Sequence, residues 1–169
     1  MLFRSHGPYG GALREVVLGL KFGGRLGGLA LAGELLWHAW ELHAARPGGL
    51  DPSGPDLVTA VPLYRWRLVR RGYNQGLELA RLSAARLDVP LAPGALRKTR
   101  TTAPQSRLTA RERARNLDGA FAADPAVVAG RSVLLVDDVM TTGSTLEASA
   151  RALRAAGATR VEALVLARD

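Results

Sequence analysis

Apolar and polar positions along this chain alternate between two periods, and the alternation predicts the elements. Leu13, Val16, Val17 and Leu20 recur at helical spacing, so a helix is expected over 12–22. Glycines at 23, 24, 27 and 28 interrupt it. A second apolar helix follows over about 29–45, with Trp37 and Trp40 three apart as core anchors. The Pro- and Gly-rich residues 46–55 read as a connecting loop. Residues 56–63 are short and apolar and predict a strand. Leu77, Ala80, Ala84 and Leu87 mark one face of an amphipathic helix over 74–87, and 89–96 holds an extended piece broken by Pro90 and Pro93. Two buried strands are expected at 132–136 and 161–167, with a helix running to about 156 between them. Strands alternating with helices imply an α/β fold with a mainly parallel sheet flanked by helices. We read one domain over 1–169, with residues 1–55 as an N-terminal helical region and 56–169 as the core. No internal repeat is present.

One segment breaks the alternation. Residues 98–109 lack apolar periodicity and carry several threonines and a proline, which predicts an exposed, mobile loop. Residues 109–117 have room for a turn or two of helix.

Composition narrows the class. At 169 residues the chain can bury a core without metals or disulfides. It has no cysteine, which excludes a disulfide framework and any thiolate zinc site. His6, His38 and His43 have no ligand spacing and read as structural or surface residues. The start carries no signal-peptide pattern. The most apolar segment, 26–42, is broken by glycines and Glu34, so no membrane insertion is expected and a cytoplasmic protein follows.

Charge changes the picture more. Lysine plus arginine number 23 against 15 acids, and only Lys21 and Lys98 are lysines. A bias toward Ala, Gly, Leu and Arg explains part of this, but not its distribution. Residues 62–81 and 97–115 together carry twelve of the 23 cations against two acids, Glu78 and Glu112. Clustered guanidinium groups suit phosphate, in a small ligand or along a nucleic acid.

The most specific stretch is 133–145, Val-Leu-Leu-Val-Asp-Asp-Val-Met-Thr-Thr-Gly-Ser-Thr. A buried strand delivers two carboxylates, Asp137 and Asp138, and then a loop of small residues opens a helix. Backbone N–H groups at a helix start are unpaired and carry partial positive charge, which suits a phosphate. Gly143 lets the backbone approach it, and Thr141, Thr142, Ser144 and Thr145 offer hydroxyl donors. The carboxylates suit ribose hydroxyls. Helix capping alone accounts for one or two of these residues. It does not account for a carboxylate pair with four hydroxyls around a glycine. The stretch lacks the Gly-Lys-Ser/Thr of a Walker loop and the Gly-x-Gly-x-x-Gly of a dinucleotide loop. It closely resembles the phosphoribosyl pyrophosphate (PRPP) signature of type I phosphoribosyltransferases.

A second element follows the strand at 56–63. Leu63, Tyr64, Arg65, Arg67, Arg70 and Arg71 form a basic loop before a helix, able to face a second anionic group. In type I phosphoribosyltransferases such a loop binds pyrophosphate, which implies that role for Leu63, Tyr64, Arg65 and Arg71. The same stretch interleaves Tyr64, Trp66 and Tyr73 with Arg65 and Arg67, a pattern also found in stacking platforms for single-stranded nucleic acid. A solvated basic turn is the plain alternative.

With these residues in view, the chain resembles the ComF family of competence-associated phosphoribosyltransferase-like proteins over nearly its whole length. Tyr9-Gly10, Leu18 to Arg25, Val61-Pro62-Leu63, Arg70 to Gln75 and the spaced residues from Arg97 to Phe121 carry the resemblance, with the 133–145 signature. It implies a type I phosphoribosyltransferase-like fold with a small N-terminal hood. The 5′-phosphate of PRPP would rest on 141–145, its ribose hydroxyls on Asp137 and Asp138 as the catalytic pair, and its pyrophosphate on 63–71. Mg²⁺ would be held by PRPP near Asp137 and Asp138. The loop from Lys98 through Thr102, Gln105 and Arg107 would close over the site. It also implies a link to DNA uptake, with single-stranded DNA and DNA-processing proteins as partners. Two departures matter. Many ComF relatives carry a four-cysteine zinc site, absent here. Purine-salvage enzymes place an acid three residues after the carboxylate pair, where this chain has Thr141, so purine salvage is not expected. No residue identifies an acceptor. A transferase with an unknown acceptor and a PRPP-responsive DNA-binding protein both remain open.

Overall fold

Val133–Val136 and Val161–Ala167 are nearly unbroken aliphatic runs, as strands covered on both faces require. They form the middle of a four-stranded, all-parallel sheet. The computed structural model describes residues 2–22, 28–46, 53–64, 68–69, 72–102 and 116–169. In chain order these hold β1 (Leu2–Pro8), α1 (Gly11–Phe22), α2 (Leu29–Ala44), β2 (Leu57–Ala60), α3 (Gln75–Leu87), β3 (Leu96–Lys98), β4 (Phe121–Ala123), α4 (Pro125–Val128), β5 (Ser132–Met140), α5 (Ser144–Ala155) and β6 (Arg160–Arg168). The sheet order is β1-β6-β5-β2, and β3 and β4 pair separately as an antiparallel ribbon.

Period-two alternation along the strands divides the core between the two faces. Leu57, Val133, Leu135, Val161 and Val165 point toward Leu146 and Leu153 of α5 and toward the ribbon, through Leu96 and Phe121. Val58, Leu134, Val136, Leu164 and Leu166 meet α1, α2 and α3 through Leu20, Leu36, Trp40 and Leu79. Each leucine so buried contributes about 1.5–3 kcal/mol. Trp40 is buried as expected, whereas Trp37 is half-buried beneath Arg86, which is ion-paired to Glu34. Glu162, inside β6, is buried and paired with Arg160 at 3.0 Å. Among the described residues no helix is long and apolar enough to cross a membrane.

Three features depart from the sequence reading. First, residues before 55 are not all helical. Leu2–Pro8 is a strand of the main sheet, paired with β6 from Leu2↔Glu162 to Pro8↔Arg168. Its polar and Gly/Pro-containing sequence has no strand period, and pairing rather than propensity sets it. Second, the expected 132–136 strand continues to Met140, so the carboxylate pair lies inside β5 and not beyond it. Third, Lys98 ends β3 and is not part of a loose loop.

β1 is an edge strand, and side chains occupy its carbonyls. Arg4 Nη1 donates to the Phe3 carbonyl at 3.1 Å, and His43 Nε2 reaches the Ser5 carbonyl at 3.3 Å from α2. Burial lowers the His43 pKa below its ordinary value of 6.5, the Ser5 bond opposes this, and Arg4, Arg46 and Arg168 lower it further. A base whose pKa is depressed by folding contributes stability above its unfolded value, and that contribution is lost as pH falls through the folded value. Melting temperature is therefore expected to fall between pH 7.5 and 5.5 more steeply in the wild type than in His43→Gln. Parallel pH profiles for the two proteins would show that His43 carries none of the dependence.

Candidate functional site

The site is built where β5 outruns its neighbour. β2 pairs with β5 up to Ala60↔Val136, and one further bond runs from Val61 N–H to the Val136 carbonyl at 3.0 Å. From Asp137 to Met140 the ladder partner is β6 alone, through Asp137↔Val165, Val139↔Ala167 and Met140↔Arg168. The helices after β2 and β5 pack on opposite faces of the sheet. Ligands in parallel sheets bind at such points.

The two carboxylates are not equivalent. Asp138 is 8% exposed. Asp137 is half-buried, accepts a hydrogen bond from the Asp138 N–H at 2.9 Å through Oδ1, and lines a cavity with the 141–145 loop. In that cavity Thr141 and Thr142 are exposed, Ser144 and Thr145 are half-buried, and the Thr142 and Ser144 hydroxyls lie 3.0 Å apart. Gly143 is the N-cap of α5, and no side chain caps this helix. Asn74 and Asp124, in contrast, cap α3 and α4 with their side chains. Capping is therefore not the task of the hydroxyls here. The first-turn N–H groups and their partial positive charge face a cavity lined by hydroxyls and Asp137, an arrangement suited to a phosphorylated sugar.

Gly143 has φ +74°. A Cβ there would make only ordinary contacts, 3.6 Å to Met140 Sδ and 3.9 Å to Phe3 Cζ. Backbone conformation, rather than crowding inside the protein, is what makes glycine necessary.

On the β2 side, Leu63 and Tyr64 are half-buried at the start of the basic loop. Further along it, Leu68 and Val69 are 42% and 84% exposed, with Leu68 N–H bonded to the Tyr64 carbonyl at 3.2 Å. Arg65, Trp66, Arg67 and Arg71 lie outside the described residues, as do Gln105 and Arg107. Tyr73 has a different setting from an open stacking platform. Its hydroxyl donates to the Leu20 carbonyl near the end of α1, and Gln75 Nε2 donates to the same oxygen at 3.3 Å. Asn74 sits between them, donating from Nδ2 to the Val61 carbonyl at 3.1 Å while Oδ1 caps the Gly76 N–H at 3.0 Å. The sequence marked these residues as family-like but not as a junction. The available signal was an Asn directly before an amphipathic helix.

Lys98 pairs with Phe121 across the ribbon, lies 5.5 Å from its ring centre, and donates to Thr102 Oγ1 at 2.8 Å. Thr99 N–H bonds the Ala120 carbonyl at 2.9 Å, and Arg100 bonds the Asp118 carbonyl at 2.6 Å. Residues 98–100 are thus zipped to residues 118–121.

Comparison with known proteins gives the family. The phosphoribosyl transferase domain model matches residues 73–169. The DNA utilization protein YhgH of Escherichia coli K12 is 42% identical over 127 residues, covering 75% of this chain and 55% of that protein. Competence protein F of Haemophilus influenzae is 39% identical over 116 residues, 68% of this chain and 51% of that one. The chain belongs to the phosphoribosyltransferase domain family, in its ComF type. It spans about half the length of these curated relatives. A solved structure described as the allosteric regulatory enzyme of purine biosynthesis shares the type I phosphoribosyltransferase fold. It has a TM-score of 0.50 and 24% identity over 79% of this chain and 25% of that one.

For this ComF-type chain, Gly143→Ala is expected to lower unfolding free energy by about 1–2 kcal/mol, the cost of placing an L side chain at positive φ. Gly143→Asn should lose less. Urea denaturation measures both, and an alanine variant as stable as wild type would remove the conformational argument.

Proposed function

We propose that this protein binds PRPP and transfers its phosphoribosyl group to an acceptor, releasing pyrophosphate. The observation that carries this reading is the shared cavity of Asp137 and the uncapped α5 start. It offers hydrogen-bond donors for a 5′-phosphate beside an acceptor for sugar hydroxyls. The 5′-phosphate rests on residues 141–145, and Asp137, with Asp138 behind it, orients the ribose. Pyrophosphate extends toward Leu63, Tyr64, Arg65 and Arg71. As the bond from C1 to the pyrophosphate oxygen breaks, positive charge grows on the ring and negative charge on the leaving group, and the loop arginines stabilise the latter. The segment carrying Thr102, Gln105 and Arg107 closes over the site and excludes water, with Lys98 at its stem.

Mg²⁺ fits this donor set. Two aspartates meet the phosphate and hydroxyl oxygens of the ligand, the hard donors it prefers. Among the described residues no group of three or more His, Cys, Asp or Glu forms a protein cage. The ion would be held by PRPP beside Asp137 and Asp138, where it supplies positive charge against the leaving pyrophosphate.

A second reading takes the pocket as a sensor in a protein that handles single-stranded DNA, working with other DNA-processing proteins. The exposed Leu68 and Val69 on an arginine-rich loop favour it, as do the formal charge of +8 and the names of the two relatives. With Tyr73 engaged by Leu20, Tyr64 and Trp66 are the remaining stacking candidates beside Arg65 and Arg67.

Calorimetric titration with PRPP and Mg²⁺ should show binding that weakens about tenfold or more in Asp137→Asn, as expected for a lost charged hydrogen bond. Pyrophosphate release, followed with and without an oligonucleotide, separates the readings. Steady release without DNA supports the transferase. PRPP binding without release, together with salt-sensitive DNA binding, supports the sensor. No PRPP binding at all removes both.

A further inference from the structure

Gly76 lies in the first turn of α3 beside Asp137, although α3 follows the other strand. A Cβ at Gly76 would lie 3.4 Å from Asp137 Oδ1, the Val136 carbonyl and Asn74 Oδ1 alike. The Asp137 carboxylate is therefore in contact with the first turn of a 13-residue helix, where the partial positive charge of the helix start favours an anion. Asn74 fixes that turn by capping Gly76 N–H and holding the end of β2 through the Val61 carbonyl.

We propose that Gly76 and Asn74 are positioning residues for Asp137, holding its carboxylate in place for the sugar hydroxyls from the helix that follows β2. This rests on the phosphoribose reading of the cavity. A methyl group at 76 would sit at van der Waals distance from Oδ1 and place hydrocarbon between the carboxylate and the helix start. The carboxylate would then be held less firmly for the sugar hydroxyls. No atom of the 141–145 loop lies among the nearest contacts of that methyl group, so the loop would be untouched. The two halves of the ligand thus depend on different helices: phosphate on α5, sugar on α3.

Gly76→Ala separates this from a structural role, because alanine is the better helix former and should leave the melting temperature equal or higher. Titrations with ribose 5-phosphate and with inorganic phosphate, run on wild type and variant, provide the test. Expected is about a tenfold loss for ribose 5-phosphate in Gly76→Ala, the scale of one charged hydrogen bond, and less than a twofold change for inorganic phosphate. Asn74→Ala, which loosens the same turn, should show the same split with a lower melting temperature. A wild type that prefers ribose 5-phosphate and variants that keep that preference would overturn the positioning role alone. A wild type that binds both ligands equally would overturn the phosphoribose reading, and the positioning role with it.

Discussion

The arrangement depends on the unequal lengths of two neighbouring strands. β5 continues to Met140 with β6 beside it, while β2 ends at Ala60. Had β2 been longer, Asp137 would have had a ladder partner on both sides and no cavity in front of it. The difference is stable because the long side is anchored twice. β6 pairs along the whole ledge, and beyond it Asp169 N–H bonds the Met140 carbonyl at 2.9 Å. A polar ledge is thereby held rigid by a strand pair whose lower half is mostly aliphatic, and the core supplies the rigidity that a sugar site needs.

The Tyr73–Gly76 stretch makes the other side equally fixed. One carbonyl, that of Leu20, receives both Tyr73 and Gln75, and the end of α1 is thereby joined to the start of α3. Asn74 joins the same point to β2. Gln75 is buried, so its amide needs a partner there. Residues 20, 61 and 74–76 come from three separate elements and meet beside the basic loop. A change in any one of them would be felt at the loop's exit from the sheet.

The sequence made some of this plain and hid the rest for identifiable reasons. The helices over 11–22, 29–44, 75–87 and 144–155 follow from apolar spacing, and the aliphatic strands β5 and β6 from their composition. The 141–145 loop was legible because so many small polar residues around one glycine have few other uses. β1 was not, because Arg4, Ser5 and His6 become a strand only through pairing with β6. The strand character of 137–140 was hidden by two aspartates, which local preference places in turns. Tyr73 reads in sequence as one aromatic among arginines. Only its position relative to Leu20, 53 residues away, reveals it as a tie between helices.

The treatment of β1 limits how this protein can associate. An open strand edge invites a second chain to extend the sheet, and repeated extension is how fibres grow. Here the Phe3 and Ser5 carbonyls are already engaged by Arg4 and His43, so an incoming strand must displace both before it can form its own ladder. Sheet continuation at β1 thus carries a cost that an edge with free carbonyls would not.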